Sequence, residues 1–212
     1  MRKKERALKL IECLEHDYPD ELCSLQYPKD YELLFTVRLA AQCTDERVNQ
    51  IAPALFQRFP TLEAFAEGPV EEVERLVHST GFYRAKARDI VKAARMLIDD
   101  FGGKVPDNME DLLKLPGVGR KTANLILGDI YNAPGAVVVD THCIRITNRM
   151  GLVDTKDPAK IEVELRKILP PDKSNDFCHR LVLHGRAVCT ARRAKCEVCS
   201  CAAYCKQFLP GG

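Results

Sequence analysis

The chain has 212 residues, with 32 Lys and Arg against 30 Asp and Glu for a formal net charge of +2, 46% apolar and 29% charged residues, ten Cys and no Trp. Ordinary apolar content and nearly cancelling charge exclude a disordered chain and a polybasic nucleic-acid glue, so an acidic partner must be held by a local patch. A chain of this length buries roughly 70–75% of its unfolded surface, as one large domain or two small ones.

Taken in chain order, apolar spacing predicts helices over Ala7 to Leu14, Leu33 to Ala41, Val48 to Phe59, Val70 to Val77, Ala87 to Phe101, Met109 to Leu113, Leu125 to Ile130, Ile161 to Leu169 and Phe177 to Leu183. Pro53 should kink the third or mark its true start. Thr44, Thr61 and Asn108 each precede acidic residues and read as helix N-caps. Ala136 to Val139 is the one plausible strand and could equally be a buried linker. The fold class is therefore all-α. Periodicity lapses at Tyr18 to Tyr27 and at Asn132 to Gly135, which divides the chain into two lobes.

Met1 to Glu5 opens with basic residues, but Glu5 and Glu12 interrupt what would be the apolar stretch of a secretion signal. No apolar run approaches the roughly 20 residues that span a bilayer. The expected location is intracellular, cytoplasm or nucleoid in a prokaryote, without a membrane partner. In such a reducing compartment the cysteines are thiols or metal ligands rather than disulfides.

Cys189, Cys196, Cys199 and Cys205 form a C-x6-C-x2-C-x5-C pattern. That density implies metal, and four thiolates suit a single zinc or a cubane iron-sulfur cluster alike. Cys201 is a spare thiol within the loop, while Cys13, Cys23, Cys43, Cys143 and Cys178 read as small buried apolar residues. Arg192, Arg193 and Lys195 lie inside the same loop, and a metal would fix them as a rigid cationic surface for phosphate.

Leu115-Pro116-Gly117-Val118-Gly119-Arg120-Lys121-Thr122-Ala123-Asn124 joins two helical segments through a Gly-x-Gly turn. Pro116 ends the first, and Gly117 and Gly119 allow positive φ and close approach of a ligand. Amides opening the second helix then favour phosphate, although a plain tight connection has the same pattern.

This hairpin, the segment Val138-Val139-Asp140-Thr141-His142 and the cysteine pattern together resemble the helix-hairpin-helix DNA glycosylases of the endonuclease III family. The resemblance extends from Ala41-Gln42-Cys43-Thr44-Asp45 through Gly81 to Ala87 and on to Leu183-His184-Gly185-Arg186. It implies a bifunctional glycosylase and abasic-site lyase that removes oxidised pyrimidines in base excision repair, by a lysine Schiff base and β-elimination. Lys121 would be the nucleophile and Asp140 its acidic partner, with a 4Fe-4S cluster on the four cysteines. Asp140 also reads as a helix N-cap, or as a base for the lysine.

A base inside a duplex must be extruded. By resemblance Gln42 fills the gap, and the wedge position falls on Phe82, where an aliphatic residue is common in the family. His142 lines the site or is a satisfied histidine. The partner is double-stranded DNA carrying damaged bases or abasic sites, bound by a monomer. DNA would lie in a cleft between a hairpin domain of residues 23–134 and a cluster domain of 135–212, on which residues 1–22 dock. Adenine and mismatched-thymine glycosylases of the same superfamily lack the nucleophilic lysine, and the seven residues after Cys205 leave no room for the extra domain of the adenine enzymes. A non-catalytic DNA-binding module is the alternative from another class, and retention of Lys121 and Asp140 argues against it.

Overall fold

The computed structural model describes residues 1–19 and 23–208. The expected break at Tyr18 to Tyr27 therefore lies in part, at residues 20–22, outside the described residues. Among the described residues there is no strand, only one isolated antiparallel bridge between Cys189 and Ala194. None of the helices is long and apolar enough to cross a membrane. The chain divides into two compact units, Ser24–Tyr131 and Met1–Cys23 with Asn132–Gly212.

The first unit holds α2 (Asp30–Leu39), α3 (Asp45–Arg58), α4 (Leu62–Glu67), α5 (Val70–Val77), α6 (Tyr83–Phe101), α7 (Met109–Leu112) and α8 (Arg120–Asp129). Thr44, Thr61 and Asn108 cap α3, α4 and α7, each accepting from the amide three residues on. Gly102, in the left-handed region at φ 59°, closes α6. That long helix is the spine against which α2, α4 and α5 pack. Phe65 fills the centre, its ring 5.0 Å from both Phe35 and Phe59 and 6.0 Å from Phe56. Helix α3 begins at Asp45 and continues across Pro53, which lies on its exposed side, so Pro53 does not mark its start.

The second unit holds α1 (Lys3–Asp17), α9 (Thr141–Arg149), α10 (Pro158–Ile168) and α11 (Ser174–Ala187). Leu10, Ile11 and Leu14 of α1 are buried, and α1 packs on α10 and α11. Glu15 of α1 pairs with Lys173 at 2.8 Å, and the Arg180 Nε of α11 donates to the Tyr18 carbonyl at 3.0 Å. Ala136 to Val139 forms no strand, and all four residues are buried, so the linker reading applies.

Helices α4 and α9 escape the apolar periodicity. Six residues are too few to show a period. In α9 the buried positions are Cys143, Ile146 and Thr147, surrounded by Thr, His, Arg and Asn, so its inward face is only weakly apolar in sequence.

Phe65→Ala should destabilise the first unit by about 3–5 kcal/mol, because a fully buried aromatic leaves a cavity among three other rings. Urea denaturation followed by far-UV circular dichroism measures this; a loss below about 1 kcal/mol would show that the ring cluster does not organise the core.

Candidate active site and metal centre

The hairpin joins α7 to α8 through Leu115 to Gly119, with the Val118 amide bound to the Leu115 carbonyl at 3.1 Å. Gly117 sits at φ 75°, and a Cβ there would lie 2.5 Å from Arg38 Nε and 2.9 Å from Asp89 Oδ2. Arg38 of α2 and Asp89 of α6 form an ion pair directly beneath the turn, with Nε and a terminal nitrogen each 2.8 Å from Asp89 Oδ2. The glycine is therefore demanded twice, by its backbone conformation and by the pair it rests on.

Gly119 is the N-cap of α8 and brings no capping side chain. The Ala123 amide reaches back to the Gly119 carbonyl at 2.9 Å, so residues 120–122 form the first turn, whose amides point out of the helix start. A Cβ at Gly119 would meet nothing within 4 Å, which leaves the approach to these amides open. Arg120 and Lys121 are the first two residues of α8, and both are exposed.

Gln42 and Phe82 belong to the same unit. Both are exposed, Phe82 at 69%, and both are non-glycine residues in the left-handed region, at φ 55° and 48°. Phe82 is thus no part of the apolar core. Lys86, one helical turn into α6, is fully buried, and its Nζ donates to the carbonyls of Leu39 at 2.7 Å and Thr80 at 2.8 Å. Burial pushes its ammonium below the usual lysine range, Arg38 acting in the same sense and Cys43 against it.

In the other unit, Asp140 is the N-cap of α9, its Oδ1 accepting from the Cys143 amide at 2.7 Å. His142 follows in the first turn, half-buried, with Nδ1 3.2 Å from an Arg145 terminal nitrogen. A Cβ on Gly185 of α11 would come 2.3 Å from His142 Nδ1, so α9 and α11 approach each other closely at this glycine.

From α9 two arginines reach the cysteine loop. Arg145 donates to the carbonyls of Gly185 at 3.3 Å and Cys189 at 3.0 Å. Arg149 donates to Thr190 O at 2.8 Å, Ala191 O at 3.1 Å and the Cys189 sulfur at 3.4 Å. Thr190 Oγ1 then donates to the Arg193 carbonyl at 2.6 Å and accepts from its amide at 3.3 Å. The bridge of Cys189 to Ala194 completes a tight turn that presents Arg192 and Arg193 to solvent. Lys195 is exposed as well, its Nζ 3.2 Å from the Ala187 carbonyl.

Cys189, Cys196, Cys199 and Cys205 line one cavity with Arg149, Met150 and His184. Among the described residues, the group of three or more His, Cys or acidic donors within 4.8 Å of one another is His184, Cys199 and Cys201. Bonding from Cys201, assisted by His184, holds the Cys199 thiol down to about 4, while the buried Cys201 thiol is pushed far up. Burial raises Cys196 and Cys205. Cys201 is thus not a bystander but a buried partner of Cys199. Of the five scattered cysteines only Cys143 and Cys178 are buried; Cys13, Cys23 and Cys43 are half-buried, contrary to expectation. A thiol is small enough to sit at the edge of a core, and sequence carries no sign of which edge.

Sequence reasoning gave no individual role to Lys86 and His184, although both lie in the stretches that carry the resemblance, and passed over the Arg38–Asp89 pair, Arg145 and Arg149. Of these only the i,i+4 spacing of Arg145 and Arg149 is a sequence signal, placing both on one face of α9. Their partners are backbone carbonyls, which every sequence contains.

Residues 37–171 match the family of HhH-GPD superfamily base excision DNA repair proteins. The endonuclease III of Synechocystis sp. is 46% identical over 203 residues, 96% of this chain and 93% of that one. That of Bacillus subtilis is 38% identical over 191 residues, 90% of this chain and 87% of the other. A non-covalent endonuclease III–DNA complex superimposes with a TM-score of 0.90 at 36% identity, covering 98% of this chain and 97% of that chain. A trapped covalent endonuclease III–DNA intermediate gives a TM-score of 0.89 at 37% identity, covering 98% and 97%. A hairpin-borne helix start in one unit and a cysteine-lined cavity in the other are thus the equipment of a known repair class, and the chain belongs to the HhH-GPD superfamily of base excision DNA repair proteins. Within it, its likeness is to endonuclease III: it is a DNA glycosylase and abasic-site lyase that binds DNA and carries a metal cofactor.

Gly117→Ala is expected to lower stability by about 1–3 kcal/mol, since it forces a side chain into the left-handed region above the Arg38–Asp89 pair. DNA affinity should fall with it. Thermal denaturation and fluorescence anisotropy on duplex DNA check both; an unchanged melting point would mean the turn has a second relaxed conformation.

Proposed function

We propose that the enzyme excises oxidised pyrimidines from duplex DNA and then cleaves the strand, with Lys121 as nucleophile and Asp140 as its charged partner. The observation that carries this reading is the place of Lys121, exposed in the first turn of α8 behind a glycine that brings no capping side chain. A helix start suits a DNA phosphate, and a phosphate held there brings its own sugar to the amine.

The Lys121 amine attacks C1' of the damaged nucleotide. The bond from C1' to the base nitrogen breaks, and the base leaves with the bonding pair and takes up a proton. Loss of the amine proton with opening of the sugar ring leaves an imine, which acidifies C2'. Removal of a C2' proton then expels the 3' phosphate by β-elimination, and water hydrolyses the imine to return the lysine. Positive character builds on the sugar as the base departs, and a fixed carboxylate favours that transition state over the neutral ground state. The N-cap bond to Cys143 fixes Asp140 for this task, and the same carboxylate can take up the lysine proton. Gln42 and Phe82, exposed on strained turns, fill the gap left by the extruded base. Gly117, Gly119, Arg120, His142, Arg192, Arg193 and Lys195 form the remaining DNA surface. The hairpin domain spans residues 23–134, the cluster domain 1–22 with 135–212, and one copy acts alone.

We assign the metal cofactor as a 4Fe-4S cluster on Cys189, Cys196, Cys199 and Cys205. No three of these sulfurs lie within 4.8 Å of one another although all line one cavity. A tetrahedral zinc, with Zn–S of about 2.3 Å, would need sulfurs about 3.8 Å apart. The wider spacing supports the larger group. When bound, the cluster supplies no step of the reaction; it holds the loop that carries Arg192, Arg193 and Lys195.

Borohydride treatment of the enzyme with abasic duplex DNA should yield a covalent adduct that Lys121→Ala abolishes; an undiminished adduct removes Lys121 from the mechanism. Asp140→Asn separates cap from charge, because Asn caps as well as Asp. It should leave the melting temperature and DNA affinity in place while slowing base excision about 10²–10³-fold. Equal loss of affinity and turnover would make Asp140 a cap only. Cys196→Ala should lose iron and visible absorption and weaken DNA binding, and a brown, fully binding variant would overturn the ligand assignment.

A further inference from the structure

Lys86 is the one fully buried lysine among the described residues, and the hydrogen bonds of its ammonium run to two backbone carbonyls, Leu39 O at 2.7 Å and Thr80 O at 2.8 Å. Placing a cation in a protein interior without a carboxylate is unfavourable, and a methionine of similar shape would fill the same space. What the methionine could not do is bind both oxygens. Leu39 ends α2, where carbonyls run out of intrahelical donors, and Thr80 ends the 3-10 turn His78–Thr80. A single three-donor head serves both.

The two carbonyls stand just ahead of the unit's two strained residues. Gln42 follows Leu39 by three positions and Phe82 follows Thr80 by two; of the three non-glycine residues at positive φ among the described residues, these are two. Each is exposed, and left to itself a short turn bearing a non-glycine residue in the left-handed region would relax. The structure ties both turns to the same nitrogen.

We propose that Lys86 is a positioning residue for base extrusion, holding the Gln42 and Phe82 turns as one preorganised element that enters the DNA stack together. This rests on the reading above that those two side chains fill the gap in the duplex. Insertion between bases works against stacking, and two independently mobile turns would each lose freedom on entering; a shared buried anchor removes that loss before DNA arrives.

The test uses the whole enzyme and a duplex containing one thymine glycol beside 2-aminopurine, whose fluorescence reports unstacking. Lys86→Met is expected to reduce the unstacking signal and slow single-turnover excision at saturating DNA by about tenfold or more, while cleavage at a preformed abasic site changes far less. Lys86→Arg, which keeps donors for both carbonyls, should recover most of the excision rate. In a Gln42→Ala, Phe82→Ala background, Lys86→Met should add no further loss, because the lysine acts through those side chains. A wild-type unstacking signal in Lys86→Met, a further loss in that background, or parallel loss of both activities without rescue by arginine would overturn the proposal. Should Lys86→Met not fold, hydrogen exchange in the unsubstituted enzyme decides: residues 40–43 and 80–83 should open as one unit, and independent opening rejects the shared anchor. Gln42→Ala and Phe82→Ala alone distinguish the parent reading, which fails if neither lowers the unstacking signal, whatever Lys86 does.

Discussion

Irregular backbone has carbonyls that no helix satisfies, and in this protein long cationic side chains satisfy several of them at a time. Arg145 and Arg149 project from α9 and between them engage the carbonyls of Gly185, Cys189, Thr190 and Ala191. Lys86 does the same for Leu39 and Thr80, and Arg180 for Tyr18. A guanidinium has five N–H donors in a rigid fork, so one side chain can fix the shape of a whole turn. Turns in both units are shaped this way, and without these bonds they would be loops of many conformations.

On the site residues proposed above, that constraint accounts for a DNA enzyme whose net charge is only +2. Phosphate need not be attracted by the molecule as a whole if a few cations and amides are held rigidly where it is to sit. The hairpin before α8 supplies amides at a helix start, propped from below by the Arg38–Asp89 pair on which Gly117 rests. The turn after Cys189 supplies Arg192 and Arg193 on a frame tied to α9 by arginine. Rigidity here comes from side chain to backbone bonds, with the apolar cores of each unit behind them.

Much of this was legible in the chain itself. Nine of the helices follow from apolar spacing, and Thr44 and Asn108 mark the starts of two of them, as Thr61 does for α4, because a side-chain oxygen there satisfies a first-turn amide. The glycine hairpin could be placed to the residue, since Pro116 and two glycines permit little else there. Helix α9 could not, for its buried face is made of Cys, Ile and Thr among polar residues. Nor could the burial of Lys86, as a lysine in a helix reads as solvated whichever side it faces.

Local patterns, then, determined the all-α class, the hairpin, the cysteine spacing and the family, because each is written in residues close together along the chain. Tertiary structure alone decided which cations go inside, that Phe82 points out rather than in, and that Cys201 belongs with Cys199 and His184. Those outcomes depend on carbonyls and packing partners brought from distant positions, and a backbone oxygen looks the same beside every residue until the fold has chosen its neighbours.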